Sequence, residues 1–345
     1  LLSRFLHLLG VTFSLSAAFG LLARFVPPDV WWPPAVVPLF LPILLALTLL
    51  YASWNAYRRR WKWTALPALV LLLSLPMAKR LFAISTGGSA AGASSISVIT
   101  ANLRGFQNDL WKDISFTAAE PFLGGAKPDV LLLQETRTEG HRANFVAEIK
   151  ASTGLAKRHQ PPGKAIATYA NDPTFVADKF IETGAFNGYL ITDVTTELGK
   201  IRVINAHLQS NRISAMAGQI GEDDTLGEGL NRAESMLRNY RRSAILRAQQ
   251  ANEIRRAIHD SPYPVIVGGD FNDVPSSYTY QRIRSPRLRD AWADRGFGPG
   301  TTFTGPLPGL RIDFLLVDTS LSVRSIERIE TGFSDHRALR AVISR

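Results

Sequence analysis

The chain has 345 residues, more than one average domain requires, so a large core with an appended segment is expected. Its formal net charge of +10 is concentrated in residues 1–80, where eight Lys and Arg face the single acid Asp29; an excess placed beside apolar segments is poor support for a nucleic-acid groove. The absence of cysteine excludes a disulfide framework, a zinc–thiolate site and a thiol nucleophile.

In chain order, Leu1 to Phe25 and Ala35 to Tyr57 are almost wholly apolar, and each is long enough to cross a hydrocarbon core, which takes roughly 20 helical residues. Trp63 to Ala83 is a third candidate, weakened by Pro67 and Pro76 and by Lys79 and Arg80 near its end. Trp31, Trp32, Trp54, Trp61 and Trp63 border these runs, where a ring with an apolar body and a polar edge suits the headgroup region. Residues 1–84 are therefore expected to form a transmembrane region of two to three helices in the cytoplasmic membrane. Arg58-Arg59-Arg60-Trp61-Lys62 is the densest positive cluster between spans and is assigned to the cytoplasm. With three spans the chain after residue 85 lies outside the cytoplasm, which is the expected topology; with two it lies inside. Residues 85–95, STGGSAAGASS, have linker composition, and a second domain is expected over 96–345.

From Ile96 the pattern changes to short β-rich runs. These are Ile96–Thr100, Val130–Leu133, Tyr189–Thr192, Ile201–Ile204, Val265–Val267 and Ile312–Val317. Several are apolar throughout, as strands covered on both faces would be. Arg232 to His259 reads as a helix with Leu237, Ile245, Ile254 and Ile258 available for a buried face. Its arginines, Arg238 and Arg247 among them, could present phosphate contacts along the helix, but read better as a solvated face balanced by Glu234 and Glu253. Gly218 to Gly229, acidic and glycine-rich, reads as a mobile loop. Sheets covered by helices make an α/β layered class.

Polar residues with metal-binding or acid–base character recur where these strands end. Asn102 follows Ile99-Thr100-Ala101, Glu135 follows Leu133-Gln134, and His207 follows Ile204-Asn205-Ala206. Asp270 and Asn272 follow Val267-Gly268-Gly269, Asp313 sits inside a strand-like run, and Asp335-His336 precede Ala338-Leu339. Each has an ordinary alternative: a turn for Asn102 or Asp270-Phe271-Asn272, a helix-start acid for Glu135, and a core histidine for His207. Asp313 has an ion pair with Arg311 open to it, and Asp335-His336 a surface pair. Asp273 reads as a turn residue. As a set, they place one kind of chemistry on one rim.

The segments ITANLRGF, PDVLLLQET, INAHLQS, GGDFNDVP, RIDFLLV and SDHRAL, in this order, resemble the motif series of the endonuclease/exonuclease/phosphatase superfamily. The preceding spans resemble its bacterial membrane-anchored branch. The resemblance implies a four-layered α/β sandwich of two packed sheets with helices outside, a divalent metal, and phosphoester hydrolysis. Carried onto these positions, it implies Mg²⁺ or Mn²⁺ at Glu135, with Asn102 and Asp335 beside it. His336 is implied as general base held by Asp313, and Asp270 as orienting the attacking water or sharing the base role. Asn272 would hold a phosphoryl oxygen, and His207 would contact phosphate or assist the leaving group. Asn102-Leu103-Arg104 departs from the abasic-site nucleases, which carry an acidic ligand shortly after the asparagine, and AHLQS is closer to the deoxyribonuclease and sphingomyelinase style. The expected activity is hydrolysis of a lipid-linked or other extracytoplasmic phosphoester. Nucleic-acid cleavage and a non-catalytic binding module are the alternatives, and no protein partner is inferred.

Overall fold

The computed structural model describes residues 2–85, 94–108, 110–181, 186–211, 226–305 and 309–345. Most of the expected 85–95 linker, and residues 218–225 of the expected loop, lie outside the described residues.

Three apolar helices come first: α1 (Leu2–Leu22), α2 (Leu41–Tyr57) and α3 (Trp61–Leu81). By length and composition all three are long enough to cross a membrane. The second expected span does not start as an α-helix at Ala35. Pro33–Ala35 and Val37–Phe40 are 3-10 turns, because prolines at 33, 34, 38 and 42 remove the amide donors that an α-helix would need. By contrast, α3 runs unbroken through Pro67 and Pro76. The helices pack closely where side chains are small: a Cβ on Gly10 would lie 2.2 Å from the Tyr51 ring. Ala17, Leu21, Leu41, Val70 and Met77 form the centre of the trio.

A short ribbon, β1 (Ala83–Ile84) on β11 (Phe297–Gly298), follows α3. The remainder is built on two six-stranded sheets. In the first the order is β13 (Ser322–Ile329), β14 (Ala338–Ser344), β2 (Ser95–Asn102), β3 (Val130–Gln134), β5 (Ile166–Ala170) and β4 (Lys157–His159). The second runs β10 (Leu288–Asp290), β12 (Asp313–Asp318), β9 (Val265–Asp270), β8 (Gly199–His207), β7 (Gly188–Thr196) and β6 (Pro173–Phe180). Within each sheet one central pair is parallel, β2 with β3 and β8 with β9, and the other pairings are antiparallel.

The sheets face each other across Val98, Leu132, Val203, Ile266, Leu315 and Ala341. The outer face of the first is covered by α4 (Phe116–Ala126) and α5 (Phe145–Thr153), through Leu123 and Ile149 on Ile99 and Leu131. The outer face of the second is covered by α6 (Leu226–His259) and α7 (Tyr278–Arg284), through Ile254, Ile258 and Ile283 on Ile204 and Val267. A last short helix, α8 (Ala291–Arg295), packs at Trp292. This is the four-layered α/β sandwich, with strands buried on both faces and therefore apolar along their length.

Two sequence expectations for α6 need correction. Leu237 is exposed and Ile245 only partly buried, because the N-terminal turns, residues 231–239, stand largely clear of the sheet. The buried stripe is instead Tyr240, Ala244, Ala248, Ala251, Ile254 and Ile258, whose small residues let the helix lie close. Leu226 to Gly229, expected as loop, is the first turn of this helix.

The helical trio is docked on the sandwich. Tyr240 Oη donates to Ala35 O (2.6 Å), Ser276 Oγ to Pro38 O (3.2 Å), and Arg311 Nη2 to Arg80 O (2.7 Å). Leu39 packs into a small cluster with Val274, Phe303, Leu310 and Ile312.

Candidate active site

Parallel pairing explains why the motif residues meet. Strands β2 and β3 point the same way in one sheet, as do β8 and β9 in the other, so each pair ends on a single rim. Asn102 is paired with Gln134, the residue before Glu135, and His207 with Asp270. Strands β12 and β14 run antiparallel to these neighbours, so their starts, not their ends, reach the rim. Asp313 is paired with Asp270, and His336 lies two residues before β14.

Gly268 and Gly269 allow β9 to reach this point. A Cβ on Gly268 would lie 2.6 Å from Leu132 Cδ1 of the facing sheet. Gly269 has φ +140° and a Cβ there would lie 1.8 Å from Ala206 O. Glu135 is held at φ +53° just past β3, a left-handed conformation uncommon outside glycine and frequent where function over-determines the backbone.

The rim is a dense polar cluster. Asn102 Nδ2 donates to Glu135 Oε1 (3.2 Å) and to Asp270 Oδ2 (3.1 Å), while Arg104 N donates to Asn102 Oδ1 (2.9 Å). In this orientation Asn102 bridges two carboxylates through its NH₂; service as an oxygen ligand requires the amide to turn over. Asp270 also accepts from Asn272 N (2.8 Å) and Nδ2 (3.2 Å). His207 Nε2 lies 3.6 Å from Glu135 Oε1 and 3.7 Å from Asp270 Oδ2, and its Nδ1 is buried with no hydrogen-bond partner.

His336 Nδ1 donates to Asp313 Oδ2 at 2.9 Å, and its Nε2 faces Asp270 Oδ2 at 3.8 Å. Asp270, Asp313 and His336 are buried, and each offers a ligand-type atom within 4.8 Å of the others. Burial pushes the Asp270 carboxyl up, and the neighbouring Asp313 charge adds to this; the opposing pull of His336 and His207 leaves it at about 6. Burial alone would depress the His336 imidazolium, but the charges of Asp313 and Asp270 and the bond to Asp313 lift it to about 10. One proton is thus strongly retained within the pair.

Asn102, Glu135, His207, Asp270, Asn272, Asp313 and His336 are all brought to this rim. Asp335 borders it, with Oδ1 3.8 Å from Arg104 Nε and its carbonyl accepting from Thr304 N (2.9 Å). The ordinary alternative for Asp313 is ruled out, because Arg311 Nη1 donates to both carboxylate oxygens of Asp290 (3.0 and 2.8 Å). Asp273 is more than a turn residue: it is buried and pairs with the fully buried Arg247 at 3.3 Å. Arg247 is accordingly no part of a solvated face, whereas Arg238 and Glu234 do form an exposed pair at 2.9 Å.

Three supports escaped the motif reading. Thr302 Oγ1 accepts from Ile312 N and Asp313 N (3.1 Å each), and the Phe303 ring packs edge-on against His336 at 5.3 Å. Both residues lie in a loop without a sequence signal. Ser334 Oγ donates to Asn102 O (2.8 Å) and accepts from His336 N (3.1 Å), tying the two ends of the rim; it stood at the head of SDHRAL, beside residues with more obvious chemistry.

A family model described as Endonuclease/Exonuclease/phosphatase family matches residues 99–336, and one described as a domain of unknown function, DUF8431, matches residues 3–81. No curated protein matches the chain. Among solved structures, an endonuclease/exonuclease/phosphatase from Beutenbergia cavernae DSM 12333 is similar at 17% identity, over 72% of this chain and 71% of that one, with TM-score 0.48. One from Bacteroides vulgatus is similar at 15% identity, over 73% and 99%, with TM-score 0.48. The human Nocturnin catalytic domain with bound sulfate is similar at 17% identity, over 74% and 96%, with TM-score 0.46. With a family model matched over most of its length and the motif residues gathered on one rim of a four-layered sandwich, this chain belongs to the endonuclease/exonuclease/phosphatase family.

Proposed function

We propose that the protein is a membrane-anchored, divalent-metal-dependent phosphoester hydrolase, with residues 1–84 as its membrane region and 96–345 as its catalytic domain. The observation that carries this reading is the buried chain Asp313–His336–Asp270 beside Glu135, delivered by strands from both sheets.

The donor set fits a hard cation: carboxylates at 135 and 335 and an amide at 102 are oxygen ligands suited to Mg²⁺ or Mn²⁺, and no thiolate is present to favour a softer ion. Glu135 is assigned as the principal ligand, with Asn102 and Asp335 beside it. The bound ion would supply Lewis-acid stabilisation of charge on the phosphoryl oxygens. Asp313 fixes the His336 ring so that Nε2 faces Asp270; with one proton already held on His336, the Asp270 carboxylate accepts the proton of the attacking water. Asn272 holds a phosphoryl oxygen, and His207 contacts phosphate or assists the leaving group.

A lipid-linked substrate is favoured by where the helical trio docks. Leu39, at the start of the second apolar span, packs against the cluster of Val274, Phe303 and Ile312; the Phe303 ring lies against His336, and Ile312 precedes Asp313. In this reading the reaction centre lies close to the end of a membrane span, near the headgroup region. The opposite end of α2 leads into Arg58-Arg59-Arg60, so the positive-inside rule assigns the catalytic domain to the extracytoplasmic side. Protease added to spheroplasts should digest it.

The test is a substrate panel on the full-length protein in detergent, with Mg²⁺, Mn²⁺ or EDTA: a lipid phosphate monoester, a lipid phosphodiester, a soluble aryl phosphate and an oligonucleotide. Metal-dependent hydrolysis, fastest on a lipid and lost on EDTA treatment, is the expected result. His336→Ala and Asp270→Asn should each lose more than tenfold in turnover while keeping their circular dichroism spectra. No turnover on any substrate with either metal would remove the enzymatic reading, and faster oligonucleotide cleavage would replace the lipid one.

A further inference from the structure

The helical trio contains a cavity unrelated to the catalytic rim. It lies between α1 and α2, measures about 650 Å³, and is walled by Leu6, Phe13, Leu47 and Trp54, with Arg58 and Arg60 at one end. This end is remote from the reaction centre: α2 starts beside Leu39 and runs 17 residues to Tyr57, roughly 25 Å at 1.5 Å per residue.

The polar end is organised. Arg60 Nη1 donates to His7 Nε2 (2.8 Å), which makes Nε2 the acceptor and leaves Nδ1–H to donate to Tyr51 Oη (3.1 Å). The His7 ring is stacked on Trp63 with centroids 4.9 Å apart. His7 thus bridges α1, α2 and the start of α3 and holds Arg60 at the end of the cavity, while Arg58 stands exposed above the Trp54 ring at 5.8 Å.

What this end lacks is negative charge. The sole acid in residues 1–80 is Asp29, which lies between α1 and the 3-10 turns at the catalytic end. Among the described residues, neither Arg58 nor Arg60 pairs with a carboxylate. Two guanidinium groups at the end of an apolar groove, in helices of membrane length, call for an anion joined to an apolar chain. Basic pockets between membrane helices bind anionic headgroups for this reason.

We propose that this cavity is a binding site for an anionic glycerophospholipid of the leaflet on the side away from the catalytic centre. One acyl chain lies along Leu6, Phe13 and Leu47, and the phosphate meets Arg58 and Arg60. The ligand is a resident lipid, distinct from any substrate, since the reaction centre lies at the other end of the helices.

The full-length protein is purified in a neutral detergent and offered dioleoylphosphatidylglycerol, dioleoylphosphatidylcholine or inorganic phosphate, with retained lipid counted by native mass spectrometry and the thermal midpoint followed in parallel. Two arginines predict retention of the anionic lipid over the zwitterionic one on the order of tenfold. Arg58→Gln should reduce this preference about fivefold, and Arg58→Lys should keep it. Because Arg60→Gln also breaks the bond to His7, the exposed Arg58 carries the test. Equal retention of the two lipids, or an undiminished preference in Arg58→Gln, overturns the proposal. A thermal shift from inorganic phosphate that is as large as that from phosphatidylglycerol and is lost in Arg58→Gln also overturns it, since the anion alone would then fill the site and the apolar walls would contribute nothing.

Discussion

Replacing Asp313 by Asn tests the central arrangement, because it changes one charge without changing shape. The Asp313 and His336 side chains are 2% and 8% exposed, and the bond between them is 2.9 Å. A charge-assisted bond so far from water contributes about 1.5–3 kcal/mol. Its loss also removes the strongest of the charges that lift the His336 imidazolium and leaves the ring free to turn, so that Nε2 is no longer held toward Asp270. The combined effect on kcat is a fall of roughly 10²–10⁴, about 2.7–5.5 kcal/mol at 1.36 kcal/mol per decade. KM should stay within about threefold, because Asp313 stands behind His336 and away from substrate. The assay is metal-dependent hydrolysis of a soluble aryl phosphate by the full-length protein, with thermal melting as the fold control. Asp318→Asn is the matched comparison. Asp318 terminates the same strand β12 at the other end and is also buried, but has no contact with the rim. More than a tenth of wild-type kcat in Asp313→Asn, or an equal loss of activity in Asp318→Asn, would show that the Asp313–His336 bond does not support catalysis.

Asp318 gives a pH prediction of its own. Burial pushes its carboxyl up, but bonds from Ser320 N and Oγ, Arg287 Nε (2.8 Å) and Val265 N (3.1 Å) outweigh this and hold it below its ordinary value. Its stabilisation is therefore complete above the unfolded value near 3.8 and is lost as pH falls through the lower folded value. The difference in urea midpoint between wild type and Asp318→Asn should be largest above pH ~4 and shrink below it; a constant difference down to pH ~2 contradicts this. Gly269→Ala should destabilise by about 3 kcal/mol or more, since strain at φ +140° and a collision with Ala206 O act together. Gly268→Ala, which meets only the tips of Leu132 and Leu315, should cost about 1–2 kcal/mol by urea unfolding; equal midpoints for the two variants would undo the distinction. Leu39→Asp places a charge against Phe303 and Ile312 and should lower kcat about tenfold or more, whereas Leu39→Met should stay within about twofold. Wild-type turnover in Leu39→Asp would show that the helical trio does not support the site.

The apolar helices, the α/β class and the residues that gather at the rim were legible in the chain alone. Those features depend on local pattern: apolar runs of membrane length, strands buried on both faces, and polar residues immediately after them. Edge strands such as β6 and β13 were not legible, because one side of each faces solvent and residues such as Lys179, Arg324 and Glu327 dilute the apolar signal. Only the tertiary structure decided which partners the rim residues take. Asp313 chose His336 over Arg311 because parallel pairing of β8 with β9, and antiparallel pairing of β9 with β12, fixed its place beside Asp270, while Arg311 was drawn to Asp290. The burial of Arg247 against Asp273, the exposure of Leu237 and the seating of Leu39 behind Phe303 are of the same kind. Each depends on where residues distant in the chain come to rest, and no local pattern encodes that distance.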